Sequence, residues 1–269
     1  MLVSLITIVV AVYGGLCLCL YFYQARLVYF PSTALHATPQ SLGLAYENVQ
    51  LPSGAQTSVH GWYIPSEHAT LTVLFCHGNG GNISDRPQTI ELLHNLGVNV
   101  LIFDYAGYGE SRGSPSEAQT YQDALTAWNY LTQERKLTPK SIVVFGRSLG
   151  SGIASWLAAE VKPAGLVMEA AFTSVPDVGA KRYPLFPIQW LARIRYDNAS
   201  RMKTLNIPTL FAHSVDDETI PFEHGRTLYR LASEPKTFLE MTGSHNDAFL
   251  QTGERYAKAL SNFFHSVGT

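Results

Sequence analysis

Two serines of the sequence lie in the pattern Gly-x-Ser-x-Gly, which can hold a nucleophilic serine at a sharp turn between a strand and a helix. Ser148 follows the apolar run 141–145 and precedes the apolar run 153–159. Ser111 instead lies among three glycines, a serine and a proline, a composition typical of a loop. Because only Ser148 has a strand and a helix beside it, the sequence predicts Ser148 as the nucleophile and Ser111 as part of a turn.

A serine hydroxyl is a poor nucleophile unless a histidine removes its proton and a carboxylate orients that histidine. After a strand–turn–helix serine, these groups follow in the order Ser, Asp or Glu, His. His245 fits this order, in a loop at 242–247 between a predicted strand and the last helix. Five of the other histidines precede the serine, His224 and His265 fall in predicted helices, and His213 ends a strand. The sequence therefore predicts His245 as the base.

Three carboxylates between the serine and the histidine could orient the base. Asp216 and Asp217 are adjacent in a loop after a predicted strand, and Glu169 ends the strand before it. Either aspartate could equally be a solvated loop side chain. Chain order alone leaves the choice among the three open.

Two backbone N–H groups are needed to hold the oxyanion that forms when a serine attacks a carbonyl group. One comes from the residue after the nucleophile, Leu149. The glycine-rich loop 77–82 follows an early predicted strand and favours Asn79 as the second donor. A phosphate-binding loop is the rival interpretation of these glycines. Neither G-x-x-x-x-G-K-[ST] nor G-x-G-x-x-G is present, which argues against it.

The first 25 residues contain no Asp, Glu, Lys or Arg and could cross the ~30 Å core of a bilayer as a helix. Aromatic residues between 21 and 30, together with Arg26, follow the run and match an interfacial belt. A cleaved signal peptide would need a basic start and a nearby cleavage site, which this segment lacks. We expect a single-pass membrane anchor, with the side of the membrane left open.

The rest of the chain alternates short apolar strands with amphipathic helices, which predicts a mostly parallel sheet with helices on both faces. A hairpin at 46–64 should form one edge of this sheet. Residues 172–206 break the alternation, and we interpret them as a short lid insertion over the carboxyl ends of the strands. The predicted organisation is an anchor at 1–25, a linker at 26–43 and a catalytic domain at 44–269.

The charge and the cysteine content indicate which partners and which covalent links are not expected. The net charge is −2 and no Lys or Arg cluster stands out, so a nucleic-acid partner is not expected. Cys76 is the only cysteine outside the N-terminal apolar segment, so no intrachain disulfide is expected in the domain. No motif implies a metal or a cofactor.

Four strings in this order resemble the α/β-hydrolase superfamily, and within it the membrane-anchored α/β-hydrolase-domain group, which includes depalmitoylase-like and lipase-like serine hydrolases. They are HGNGGNISDR at 77–86, FDYAGYGESRG at 103–113, FGRSLGSG at 145–152 and GSHND at 243–247. The resemblance implies an α/β-hydrolase fold.

The same resemblance assigns the acid. Family members show a pattern similar to H-G-x-x-D-x-x-[VI]-P, which here runs from His213 to Pro221 and puts the acid at Asp217. This sequence departs from the pattern at Ser214, where the family usually has glycine. The second oxyanion donor carries over to Asn79.

The expected chemistry is transfer of an acyl group to water from a carboxylic ester or thioester. The N-terminal anchor and the resemblance suggest a lipid-like acyl substrate or an acylated protein at a membrane. A peptidase or an acyltransferase on the same fold is an alternative, because fold does not fix substrate. A catalytically silent membrane-tethered scaffold is another, although a scaffold has no need of serine, acid and histidine in this order.

Overall fold

The predicted alternation of strands and helices is present in the computed structural model, which describes residues 2–268. The strands are β1 Phe30–Pro31, β2 Glu47–Pro52, β3 Ser58–Ile64, β4 Thr72–Cys76, β5 Gly80–Gly81, β6 Asn99–Phe103, β7 Ile142–Arg147, β8 Gly165–Glu169, β9 Thr209–Ser214 and β10 Lys236–Met241. The helices are α1 Leu2–Tyr23, α2 Ala25–Val28, α3 Pro87–Asn95, α4 Glu117–Asn129, α5 Leu149–Val161, α6 Val175–Arg182, α7 Ile188–Leu191, α8 Asn198–Met202, α9 Glu223–Leu231, α10 Ala248–Thr252 and α11 Glu254–Val267.

Eight strands form one sheet in the order β10-β9-β8-β7-β4-β6-β3-β2. From β10 to β6 all neighbours are parallel, whereas β3 is antiparallel to both β6 and β2. The hairpin of β2 and β3 forms the edge, with Glu47 opposite Tyr63 and Pro52 opposite Ser58. The α/β-hydrolase fold with a mostly parallel sheet is therefore confirmed.

Helices cover both faces of this sheet, so the central strands are buried along their whole length. Alternate residues of a strand point to opposite faces. Leu74 and Val144 accordingly belong to the apolar layer beneath α4 and α5, and Val73 and Phe75 to the layer beneath α3 and α11. This packed sheet is the rigid base from which loops at its carboxyl edge project.

The segment 26–43, which the sequence predicted as a linker, lies against the domain. Strand β1 pairs with β5 in the glycine-rich loop. The hydroxyls of Tyr29 and Tyr196 share a buried hydrogen bond of 2.8 Å. Tyr29 is only 4 % exposed, so burial of aromatic surface and pairing of its hydroxyl together hold this segment in place.

The insertion predicted at 172–206 contains α6, α7 and α8. Its first two helices line the pocket at the carboxyl edge of the sheet, and α7 packs against the N-terminal helix α1. We call residues 172–206 the cap.

The turn between β7 and α5 has a backbone that most residues avoid. Ser148 has φ 52° and ψ −121°, outside the regions that L-amino acids favour. The glycine on each side lets the chain pack closely here. A Cβ at Gly146 would lie 2.6 Å from the Cα of Ser151, and one at Gly150 would overlap the carbonyl of Cys76 and lie 2.6 Å from that of His77.

We expect Gly150→Ala to destabilise the fold by about 3 kcal/mol or more, because the added methyl group meets backbone rather than a movable side chain. Thermal unfolding of the purified protein measures this. Gly80→Ala is the matched control, since a Cβ there has no heavy atom within 4 Å. A Gly150→Ala protein with the same melting temperature as the wild type would contradict the close packing.

Candidate active site

Ser148 and His245 are brought together across the carboxyl edge of the sheet. Ser148 lies between the end of β7 and the start of α5, and His245 lies in the loop between β10 and α10. His245 Nε2 is 3.0 Å from Ser148 Oγ, within hydrogen-bond distance. The imidazole can therefore accept the serine proton in this geometry.

Asp217 lies behind the histidine. Its Oδ2 is 2.7 Å from His245 Nδ1, and the other oxygen, Oδ1, accepts hydrogen bonds from the backbone N–H groups of Thr219 at 2.9 Å and Ile220 at 2.7 Å. The two backbone bonds fix the carboxylate so that Oδ2 faces the imidazole. A carboxylate in this position selects the tautomer with the proton on Nδ1 and leaves Nε2 free to accept.

The pKa of Asp217 is held well below its usual range. Burial alone would raise it, but hydrogen bonds from His213 and His245 and the N–H of Ile220 outweigh burial. His213 Nε2 is 3.5 Å from the same Oδ2 and 2.8 Å from the carbonyl oxygen of Ile220. Asp217 therefore stays ionised throughout the neutral range, as a group that stabilises an imidazolium must.

The two other candidate acids have different contacts. Asp216 is exposed and accepts a hydrogen bond from the N–H of Gly243 at 3.2 Å. Glu169 is buried, accepts a hydrogen bond from the Tyr256 hydroxyl at 2.7 Å and pairs with Arg147 Nε at 3.3 Å. The geometry favours Asp217 as the partner of the histidine, in agreement with the family pattern.

Ser111 is a structural residue of its turn. Its hydroxyl donates to the carbonyl oxygen of Asp104 at 2.7 Å and accepts from the N–H of His60 at 2.8 Å. The side chain is buried and both roles of the hydroxyl are used within the turn.

The two proposed oxyanion donors flank the serine. Leu149 begins α5, whose N-terminal end carries partial positive charge. The loop with Asn79 lies against the nucleophile, since a Cβ at Gly78 would be 3.6 Å from Ser148 Cβ. Asn79 is fixed by its side chain, which donates to the carbonyl of Val28 at 3.0 Å. Within residues 2–268, the N–H groups of Asn79 and Leu149 have no protein acceptor.

A pocket of about 1360 Å³ opens above these groups. Its polar wall contains Ser148, His245 and Asn79, and its apolar wall comes from the cap and from the first helices. The cap contributes Ile188 and Leu191. In the described part of the chain, no cluster of three or more His, Cys, Asp or Glu side chains could hold a metal ion.

Sequence reasoning missed the part that the N-terminal segment has in this pocket. The residues that line its wall are Leu20 near the end of α1, Gln24 between α1 and α2, and Leu27 and Val28 of α2. Arg86 also lines it, and burial, followed by the charge of Arg147, lowers the pKa of its guanidinium. The apolar pair Leu27 and Val28 within the aromatic belt was the available signal, but it does not say what these residues pack against.

The chain matches the family model of the α/β hydrolase fold over residues 72–186. It is 31 % identical over 268 residues to the alpha/beta hydrolase domain-containing protein WAV2 of Arabidopsis thaliana, covering 90 % of this chain and 87 % of that one. It is 34 % identical over 265 residues to an uncharacterized membrane protein of Saccharomyces cerevisiae, covering 94 % and 90 %. The structure of an esterase from Pyrococcus furiosus superposes with a TM-score of 0.74 at 19 % identity, covering 89 % of this chain and 100 % of the esterase. The chain belongs to the α/β-hydrolase family.

We expect Asp217→Asn to slow labelling of the protein by a fluorophosphonate probe, which reacts with activated serines, by about 10³- to 10⁴-fold. The amide cannot stabilise the imidazolium and favours the wrong tautomer. The second-order rate constant of labelling is the measurement.

Asp216→Asn is the matched control, because it makes the same change one residue away on a side chain that does not contact His245. It should label within about tenfold of wild type. Equal rates for the two variants would remove Asp217 from the role of acid.

Proposed function

We propose that the chain is a serine hydrolase that cleaves carboxylic ester or thioester bonds through Ser148, Asp217 and His245. The observation that carries the proposal is the line of hydrogen bonds from Ser148 Oγ through the imidazole to Asp217, with distances of 3.0 and 2.7 Å. The strained serine backbone supports the same assignment, as do the N–H groups of Asn79 and Leu149, which have no acceptor in the described part of the protein.

In the first half of the proposed reaction, Ser148 Oγ attacks the carbonyl carbon while its proton passes to His245 Nε2. The carbonyl π electrons move to oxygen, and the N–H groups of Asn79 and Leu149 hold the resulting oxyanion. When the oxyanion collapses, the bond to the alkoxide or thiolate breaks. The leaving group takes the proton from the imidazolium, which leaves an ester of Ser148.

In the second half, water takes the position of the leaving group. His245 Nε2 accepts a proton from this water as the oxygen attacks the acyl carbon, and the same two N–H groups hold the second oxyanion. Collapse returns the proton to Ser148 and releases the carboxylic acid. Asp217, ionised throughout, stabilises the imidazolium in both halves.

The proposed substrates carry long acyl chains, either as lipids or on proteins. The pocket volume, about 1360 Å³, exceeds the roughly 300–1,000 Å³ typical of small-molecule sites. Apolar side chains of the cap and of the N-terminal segment, such as Leu27 and Leu191, form a wall that suits an acyl chain.

We further propose that α1 anchors the protein in a membrane. Residues Val3–Tyr23 have a mean hydropathy of 2.5, and none of this stretch is buried. The yeast relative is named a membrane protein. Because the end of α1 lines the pocket, the helix is part of the working protein, which argues against its removal as a signal peptide.

Labelling with a fluorescent fluorophosphonate tests the nucleophile. We expect the wild type and Ser111→Ala to label and Ser148→Ala not to label, because, of these two serines, Ser148 has the imidazole of His245 within 3.0 Å, whereas the Ser111 hydroxyl is bonded to backbone groups. Ser111→Ala is the matched control for the second Gly-x-Ser-x-Gly motif. A well-folded wild type that does not label would instead favour the silent scaffold.

A panel of matched substrates then separates the classes of enzyme. Esters, thioesters and amides with the same acyl chain should be hydrolysed in water, with esters or thioesters fastest. Faster cleavage of the amide would favour a peptidase. Transfer of the acyl group to an added alcohol in preference to water would favour an acyltransferase.

A further inference from the structure

Ten consecutive residues of the cap, 183–192, carry no charge and read YPLFPIQWLA. We call them the cap tip. Two of their large apolar side chains are among the most exposed in the domain, Leu185 at 81 % and Trp190 at 89 %. Neither lines the catalytic pocket. A contiguous apolar surface of this kind marks contact with a partner or a membrane.

The cap tip lies along α1. The ring of Phe186 stacks on Tyr13 with 5.6 Å between centroids, and the Tyr13 hydroxyl donates to the carbonyl of Leu185 at 2.8 Å. Beyond the other end of the cap tip, the side-chain oxygen of Gln24 accepts from the N–H of Arg193 at 2.7 Å. The segment therefore runs beside the second half of α1, from the level of Tyr13 to the level of Gln24.

The position of the cap tip beside α1 sets its depth in the bilayer. Tyr13 and Gln24 are 11 residues apart, or ~16 Å along a helix, which is about half of a ~30 Å hydrocarbon core. Residues 3–12 alone would reach only ~15 Å and could not cross. If α1 spans the bilayer, the tip around Phe186 lies near the bilayer centre.

Most of the cap-tip backbone needs no water to donate to, which suits a place where polar groups must find partners inside the protein. Two of its ten residues are prolines, which have no N–H to satisfy. Six others donate to backbone carbonyls of the cap: Tyr183, Phe186, Ile188, Trp190, Leu191 and Ala192. Its one amide side chain, that of Gln189, donates to Asp177 at 2.9 Å.

Basic residues bound the cap tip on both sides. Lys181 and Arg182 precede it, Arg193 follows it, and all three are exposed. Arg193 lies over the ring of Tyr21, 5.3 Å from its centroid, in the aromatic belt at the end of α1. Arg193 therefore marks the headgroup level of the leaflet, where it can pair with an anionic lipid.

We propose that the cap tip inserts into the leaflet through which α1 leaves the membrane, and that its occupant is lipid hydrocarbon. The inference rests on the proposed anchoring by α1. The side of the pocket between the cap and α1, lined by Leu20, Leu27, Ile188 and Leu191, then opens toward the acyl region. An acyl chain enters sideways from the bilayer and does not cross water to reach Ser148.

Quenching by brominated lipid tests the insertion without any enzyme assay. The full chain is placed in phosphatidylcholine vesicles whose acyl chains carry bromine near their midpoint. Of the four tryptophans, Trp62 and Trp128 are buried, and Trp156 is stacked on Tyr121 in the domain, whereas Trp190 is exposed. We expect the vesicles to quench wild-type emission, and Trp190→Phe to abolish the quenched part. Trp156→Phe is the control and should retain it.

Equal emission in brominated and plain vesicles, from protein that floats with the vesicles, would overturn the proposal. It would show that Trp190 faces water or a protein partner. This outcome is independent of catalysis, so it is distinct from failure of the proposed hydrolase, which the fluorophosphonate probe detects.

A paired variant tests the consequence for substrate entry. Leu185→Glu combined with Trp190→Glu should lower hydrolysis of a long-chain ester in vesicles by at least about tenfold, because the two charges oppose insertion. Fluorophosphonate labelling in detergent should stay within about twofold, since neither residue lines the pocket. Gln133→Glu with Asn262→Glu adds the same charge at exposed sites elsewhere and should change neither rate. An equal loss of hydrolysis in vesicles and of labelling in detergent would show that the variant damages the site itself and does not act on substrate entry.

Discussion

The strained backbone at Ser148 is the constraint on which the rest of the site depends. A positive φ at a residue with a side chain is tolerated only where the surroundings enforce it. Here β7 and α5 enforce it, because Gly150 packs directly on the carbonyls that end β4. The same contact places the glycine-rich loop beside the serine. The close contact between Gly150 and the end of β4 therefore orients the Ser148 hydroxyl and places both proposed oxyanion donors next to it.

The proposed acid and base are held by the other half of the sheet. Strands β9 and β10 are parallel neighbours, so the loops that follow them leave the same edge side by side. Asp217 uses one oxygen for the backbone of its own turn and presents the other to His245. The serine and the histidine come from separate strands of a buried sheet, and their 3.0 Å contact depends on its rigidity.

Local composition was sufficient to predict the strands, the edge hairpin and the preference for Ser148 over Ser111, because each depends on neighbours in sequence. The choice between Asp216 and Asp217 was not local. The turn exposes one and buries the other, and only the family pattern indicated which. Packing of 26–43 escaped prediction for the same reason, since Tyr29 and Tyr196 are 167 residues apart in sequence.

In the function proposed above, the same helix serves both membrane anchoring and the catalytic pocket. Leu20 near the end of α1 and Gln24 just after it line the pocket wall. The side-chain oxygen of Gln24 also accepts hydrogen bonds from the backbone where the cap returns to the domain. A tilt of α1 relative to the domain would therefore move the wall and the cap together. An enzyme built in this way would be expected to respond to the thickness and charge of the leaflet that surrounds it, because those properties set the resting position of the helix.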